Sequence, residues 1–486
     1  MFHARLGEQL ERLRQEPAWR AGDRSAITLF KTPALTLVLL APRRRASPFP
    51  TRLERVVRRG PDRDDRSGAM SREPLVYRPF ALLGLAATLA VGIPLGVWLL
   101  AWLYLGAAAV PAEWLLLHAH VQIFGFFGTL IMGVAQHLLP RFTGRPVSAS
   151  PFMLWLLGLQ AAAIVLRIAG TAGSWPVPVL VASLLQAGAF LLFAAWVWRM
   201  LDPPPLGFLR RHLTVSTLWL ACACGLEAWL RVGALAAGLA LPVGSGFRVV
   251  HLMGLFGGVL GWVLGVLLRA APMFLARWRA PARSARVLPW LLALGVGIAA
   301  WGEAGDWSAA VGTALARLGE VIVLAGAAAV MVLGGALTRV RDALPLVARS
   351  PQESRIFRVA MLSGAAAAVG SAVAVPAAWA GLDVRLLTDM VRHLVTVGVL
   401  TSVVVAMAFR LIPVLEGRPL RWPRLRHVAL WSLAAGVVLR SGEVLVGVGW
   451  SAPAPWVALS GVLIWIAVAC VGANLAGAIG THEDSA

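Results

Sequence analysis

From Tyr77 to the C-terminus the chain alternates between apolar runs of twenty or more residues and short polar connections rich in arginine. A helix needs about 20 mostly apolar residues to cross a bilayer, and its backbone N–H and C=O groups must be satisfied within the helix because no water reaches them. The pattern therefore predicts an all-α, polytopic membrane protein. It places about twelve transmembrane helices at about 80–105, 114–139, 150–170, 176–199, 213–237, 247–271, 286–304, 309–337, 357–380, 386–412, 427–449 and 454–477. The expected domains are a basic N-terminal segment (1–75), a membrane domain (76–480) and a short cytoplasmic tail (481–486).

Composition agrees with the pattern. The chain is 59% hydrophobic and only 14% charged, with a mean hydropathy of +0.76, against roughly 45–50% apolar and 25% charged in soluble proteins. The formal net charge of +21 does not point to nucleic acid, because the arginines fall in short blocks between apolar runs. Blocks follow the even-numbered runs: Arg141 and Arg145; Arg199, Arg210 and Arg211; Arg277, Arg279, Arg283 and Arg286; Arg339, Arg341, Arg349, Arg355 and Arg358; and Arg418, Arg421, Arg424 and Arg426. Connections after odd-numbered runs carry Arg248, Arg385 and Arg392 and little else. The positive-inside rule then places both termini in the cytoplasm of a bacterial inner membrane. Cys222, Cys224 and Cys470 lie in apolar runs without metal-ligand spacing and are read as small hydrophobes.

The sequence repeats. HVQIFGFFGTLIMGVAQHLLPRFTGRP from His120 and HLVTVGVLTSVVVAMAFRLIPVLEGRP from His393 share a histidine, a glycine, a proline and a Gly-Arg-Pro ending, at a constant offset of about 273 residues. The register continues to Val165, Leu166 and Arg167 against Val438, Leu439 and Arg440. A weaker copy holds His251, Gly257, Gly265 and Pro272, its histidine one position out of line. These copies fall in helices two, six and ten, which predicts three four-helix repeats.

The first 75 residues differ in character: polar, rich in Arg and Pro, without a cleavable signal peptide. Residues up to about 41 resemble the opening strands of a small cupin, and the resemblance ends before any metal motif. A mis-started reading frame, with Met70 as the alternative start, and a regulatory cytoplasmic tail are the two readings of this segment.

His118, His120, His251 and His393 fall in the first turns of inward-running helices. At about 1.5 Å per residue they share a depth roughly 5–10 Å below the outer interface. Ionisable residues in a membrane usually face the bundle interior, and neutral imidazole is a good ligand for heme iron and copper. The plainer alternative is four interfacial histidines bonded to neighbouring helices. His118 and His120 are two residues apart, so they address different neighbours. Arg167 and Arg440, near the outer ends of helices three and eleven, are open to heme propionates or to pairing with Glu227, Glu303 or Glu443.

Taken together, YRPF (77–80), LHAH (117–120), Phe124-Gly125, PRFTGRP (140–146) and RHLVTVG (392–398) resemble the NnrS family over essentially residues 76–480. The sequence departs from that pattern at Val121, where a glutamate is common, and around Pro272, where the TGR loop is missing. The resemblance implies a membrane protein carrying heme, with copper left open, tied to denitrification, nitric oxide metabolism and protection from nitrosative stress. His118, His120 and His393 would bind the cofactor with Arg167 and Arg440, and the metal ligands would come from His118, His120, His251 and His393. His120 and His393 would be the matched pair. The implied partners are the lipid bilayer, nitric oxide or another small diatomic ligand, and a membrane or periplasmic electron donor.

A more distant resemblance, to the catalytic subunit of heme-copper oxidases, rests on histidines in helices two, six and ten. Helix seven has no histidine, and the only tyrosines, Tyr77 and Tyr104, lie outside helix six, which argues against oxygen reduction. Whether a reaction is catalysed stays open. The alternatives are a repeat-built transporter with a histidine-lined path and an oxidase-like or nitric oxide reductase-like subunit.

Overall fold

A computed structural model of the protein describes residues 74–202, 207–238, 246–274, 282–333, 351–447 and 454–480. The N-terminal segment up to residue 73, the tail, and the loop arginines Arg277, Arg279, Arg339, Arg341 and Arg349 lie outside the described residues. Among those described there are helices and no strand.

Among the described residues, twelve helices are long and apolar enough to cross a membrane. They are α1 Tyr77–Leu105, α2 Ala112–Thr143, α3 Pro151–Ala172, α4 Pro176–Met200, α5 Phe208–Ala236, α6 Gly246–Ala270, α7 Arg283–Ala304, α8 Ala309–Met331, α9 Pro351–Trp379, α10 Arg385–Glu416, α11 Leu425–Leu445 and α12 Pro455–Ile479. Their number matches the apolar runs. Several begin earlier than hydropathy alone places them: α5 takes in Arg210, Arg211 and His212, and α9 takes in Glu353 and Arg355. Backbone hydrogen bonding carries a helix past the apolar boundary into polar residues, which hydropathy does not register.

Large apolar side chains cover the outside. Leu362, Val438 and Leu154 are among the most exposed, and exposed tryptophans cluster toward helix ends, with Trp155, Trp198 and Trp290 at one side and Trp229, Trp301, Trp379 and Trp456 at the other. An apolar band between tryptophan belts is the surface a bilayer covers. The chain is a multi-pass membrane protein.

Burial separates three helices from the rest. In the most apolar stretch of α2, α6 and α10, 67%, 78% and 72% is buried, against 56% or less in the other nine. These inner helices share a second property. Each contains an eight-residue π-helical segment: Val121–Gly128 in α2, Met253–Leu260 in α6 and Leu394–Thr401 in α10. A shorter one, Thr88–Gly92, interrupts α1. The wider i→i+5 turn moves the side chains beyond it around the axis by about 100°, and such bulges gather at functional sites. Just beyond the α1 segment, Pro94 has no N–H to offer; the Leu89 carbonyl, five residues back, accepts Trp465 Nε1–H at 2.9 Å instead.

The repeated Gly-Arg-Pro endings have a local cause. α2 and α10 close on Gly144 (φ 73°) and Gly417 (φ 66°), left-handed positions that favour glycine, and the proline two residues on cannot continue a helix.

Candidate functional site

The site lies where the odd-numbered helices end and the even-numbered ones begin. A cavity of about 390 Å³ is lined there by α1, α2, α6, α10, α11 and α12. Its walls are mostly apolar, Leu99, Ile123, Phe126, Phe127, Leu255 and Ile464 among them. Small-molecule and cofactor sites span roughly 300–1,000 Å³ with apolar walls and few polar groups.

Three of the four predicted histidines line it: His118, His251 and His393. His118 Nδ1 lies 2.7 Å from the Gly92 carbonyl oxygen, and His393 Nδ1 lies 2.9 Å from that of Asp389. A carbonyl only accepts, so each Nδ1 carries a proton, and in the neutral form of either ring the lone pair is then on Nε2. The Asp389 carboxylate is a further 3.4 Å from His393 Nδ1, while Arg440 Nη2, 3.2 Å away, directs its proton to that carboxylate. An N–H fixed on a main-chain carbonyl is how proteins hold imidazoles that ligate metals. Gly96 makes room for the His118 ring: a Cβ there would lie 2.7 Å from His118 Cε1.

His120 is elsewhere. It is buried on the opposite side of α2, with Nε2 against the Gln186 amide oxygen and Nδ1 3.2 Å from Glu227 Oε2. The repeat equates His120 with His393, but the cavity joins His393 to His118. Two residues along a helix is about 200°, enough to send the two α2 histidines to different neighbours.

Arg167 and Arg440 are both taken by carboxylates. Arg167 donates to Glu227 at 2.5 and 3.0 Å and to Ser183 at 2.7 Å; Arg231 donates to the same Glu227 at 3.0 Å. Arg440 bonds Asp389 and lies 2.9 Å from Glu443, whose other oxygen accepts Tyr104 Oη–H at 2.5 Å. A third cluster joins Arg248 and Arg317 to Glu303 and Glu320, at 2.7–3.0 Å.

The imidazoles of His118 and His393 present a donor pair suited to an axial or metal ligand role in a mostly apolar space, with His251 lining the same cavity. Among the described residues, no group of three or more His, Cys, Asp or Glu is gathered so as to hold a metal ion by itself. The supporting acceptors, Gly92 and Asp389, were not singled out by sequence reasoning. Neither was Arg392 as a cavity residue, although an arginine beside His393 at the head of an apolar run was the available signal.

Fold and site together define a twelve-helix integral membrane protein whose three innermost helices present histidines to an embedded cavity. The chain belongs to the NnrS family: the family model, described as NnrS protein, matches residues 74–478. Comparison with curated proteins gives no match.

Proposed function

We propose that this protein is a heme-binding protein of the bacterial inner membrane that serves nitric oxide metabolism, denitrification or nitrosative-stress defence. The observation that carries the reading is the matched anchoring of His118 and His393, each with Nδ1–H on a main-chain carbonyl and Nε2 free of protein partners among the described residues. His118 and His393 would hold the heme, with His251 on the same wall. Copper stays a second candidate for this histidine set. The bound heme would supply an iron centre for a small diatomic ligand. The chain's own part is to hold two imidazoles in one tautomer, to keep the site apolar, and to exclude bulk water with Ile123, Phe126 and Phe127.

The test is composition. Full-length protein purified from heme-replete cells is expected to contain heme, measured as the pyridine hemochrome, with copper determined on the same sample. Protein without heme would remove this reading and favour a transporter.

A further inference from the structure

The outer end of the bundle is rich in arginine, and most of these side chains are spoken for. Arg167 and Arg231 share Glu227; Arg440 has Asp389 and Glu443; Arg248 and Arg317 share Glu303, with Glu320 also on Arg317. Arg392 differs. It lines the cavity one residue before His393, and among the described residues its guanidinium has no carboxylate within 4 Å and no side-chain hydrogen bond.

An intramembrane cation is normally paired or functional. Arg392 is half-buried, and the charge of Glu320 acts on it from a distance, but that carboxylate is bonded by Arg317, so among the described residues none of the five guanidinium donors of Arg392 has an acceptor within reach. The cavity is lined mostly by Leu, Ile, Phe and Val, with few polar side chains, Gln122, Thr396 and Asp389 among them. The missing partner is an anion, and a planar guanidinium matches a carboxylate or similar oxyanion in a two-bond fork. Asp389, the carboxylate that lines the same cavity, is already held by Arg440 and His393.

We propose that Arg392 is the anion anchor of this cavity, receiving the carboxylate or other oxyanion of whatever occupies the space among His118, His251 and His393. The chemistry has two sources: an acidic side arm of the bound group, which rests on the heme reading above, or a free small oxyanion, which does not. Arg392 is a binding residue in either case. It sets the orientation of the occupant by fixing its acidic end beside α10.

The experiment uses full-length protein titrated with heme and with heme dimethyl ester, followed by the Soret band, and separately the melting temperature with nitrite added. If an acidic side arm is the anion, wild-type protein binds heme about ten- to a hundredfold more tightly than the ester. Arg392→Gln then erases the preference, Arg392→Lys keeps part of it, and Arg385→Gln, at the exposed tip of α10, leaves it intact. If a free oxyanion is the partner, heme and ester bind alike, but nitrite raises the melting temperature of wild type and not of Arg392→Gln. Wild-type protein indifferent to both esterification and nitrite overturns the proposal without any variant. So does an Arg392→Gln protein that responds to both probes as wild type does. Absence of heme binding in wild type would sink the heme reading alone, and the nitrite arm would then decide Arg392.

Discussion

His118 on α2 and His393 on α10 are held in the same way: each gives its Nδ1 proton to a main-chain carbonyl, at 2.7 and 2.9 Å, and both line one cavity. The carbonyls differ in origin. Gly92 belongs to a different helix, at the end of a π-helical segment in α1, whereas Asp389 lies one turn back on α10 itself. His118 is therefore positioned by helix packing and His393 by its own helix. A disturbance of the α1–α2 contact reaches only the first.

Gly96→Ala tests that difference. The added methyl would sit 2.7 Å from His118 Cε1 and would push the ring off the Gly92 carbonyl. The expected result is a shifted or weakened Soret band in a protein that still inserts. Gly158→Ala, where a Cβ would meet nothing within 4 Å, is expected to leave the spectrum unchanged. Equal spectra for the two variants would remove His118 from the site.

Glu227 carries the heaviest electrostatic load. It is buried, and it pairs with two buried arginines and faces His120. Replacing it by alanine leaves two buried cations without a carboxylate, a change that costs about 3–5 kcal/mol where one partner of a buried pair is removed. Glu227→Ala is expected to lower the unfolding midpoint of detergent-purified protein strongly. Wild-type stability in that variant would show that the arginines find solvent or another partner.

His120 belongs to that network rather than to the cavity. His120→Ala is therefore expected to lose stability while keeping cofactor absorption, the opposite of His118→Ala. Measuring both properties on both variants separates the two roles, and loss of the Soret band on changing His120 with the fold intact would return it to the site.

Topology gives a prediction independent of any cofactor. The loop at Gly173 joins α3 to α4, and the connection at Gly207 follows α4. Reporter fusions at the two positions are expected to lie on opposite sides of the membrane, with Gly207 in the cytoplasm beside Arg199, Arg210 and Arg211. Fusions reporting the same side would mean that α4 does not cross.

The twelve crossings are legible in the sequence because the bilayer imposes a length and a composition on every one of them. The importance of helices two, six and ten is legible too, through the histidines and the Gly-Arg-Pro endings that close α2 and α10. What each histidine touches is not. The repeat compares positions along the chain, while contacts depend on rotation about the helix axis, and the π-helical segments that begin beside His120, His251 and His393 alter that rotation without an obvious sequence mark. The pairing of Arg167 with Glu227, sixty residues on, likewise follows from which faces α3 and α5 turn inward.

The central claim is that His118 and His393 hold a heme in the cavity between α2 and α10. Its most direct test is the absorption spectrum of full-length protein from heme-replete cells, taken for wild type, His118→Ala, His393→Ala and His427→Ala. His427 bonds Gln352 at the other end of the bundle and serves as the control. The account predicts a Soret band in wild type and in His427→Ala, and its loss or shift in the other two. A wild-type protein without a Soret band, or a band indifferent to both cavity histidines, would contradict it.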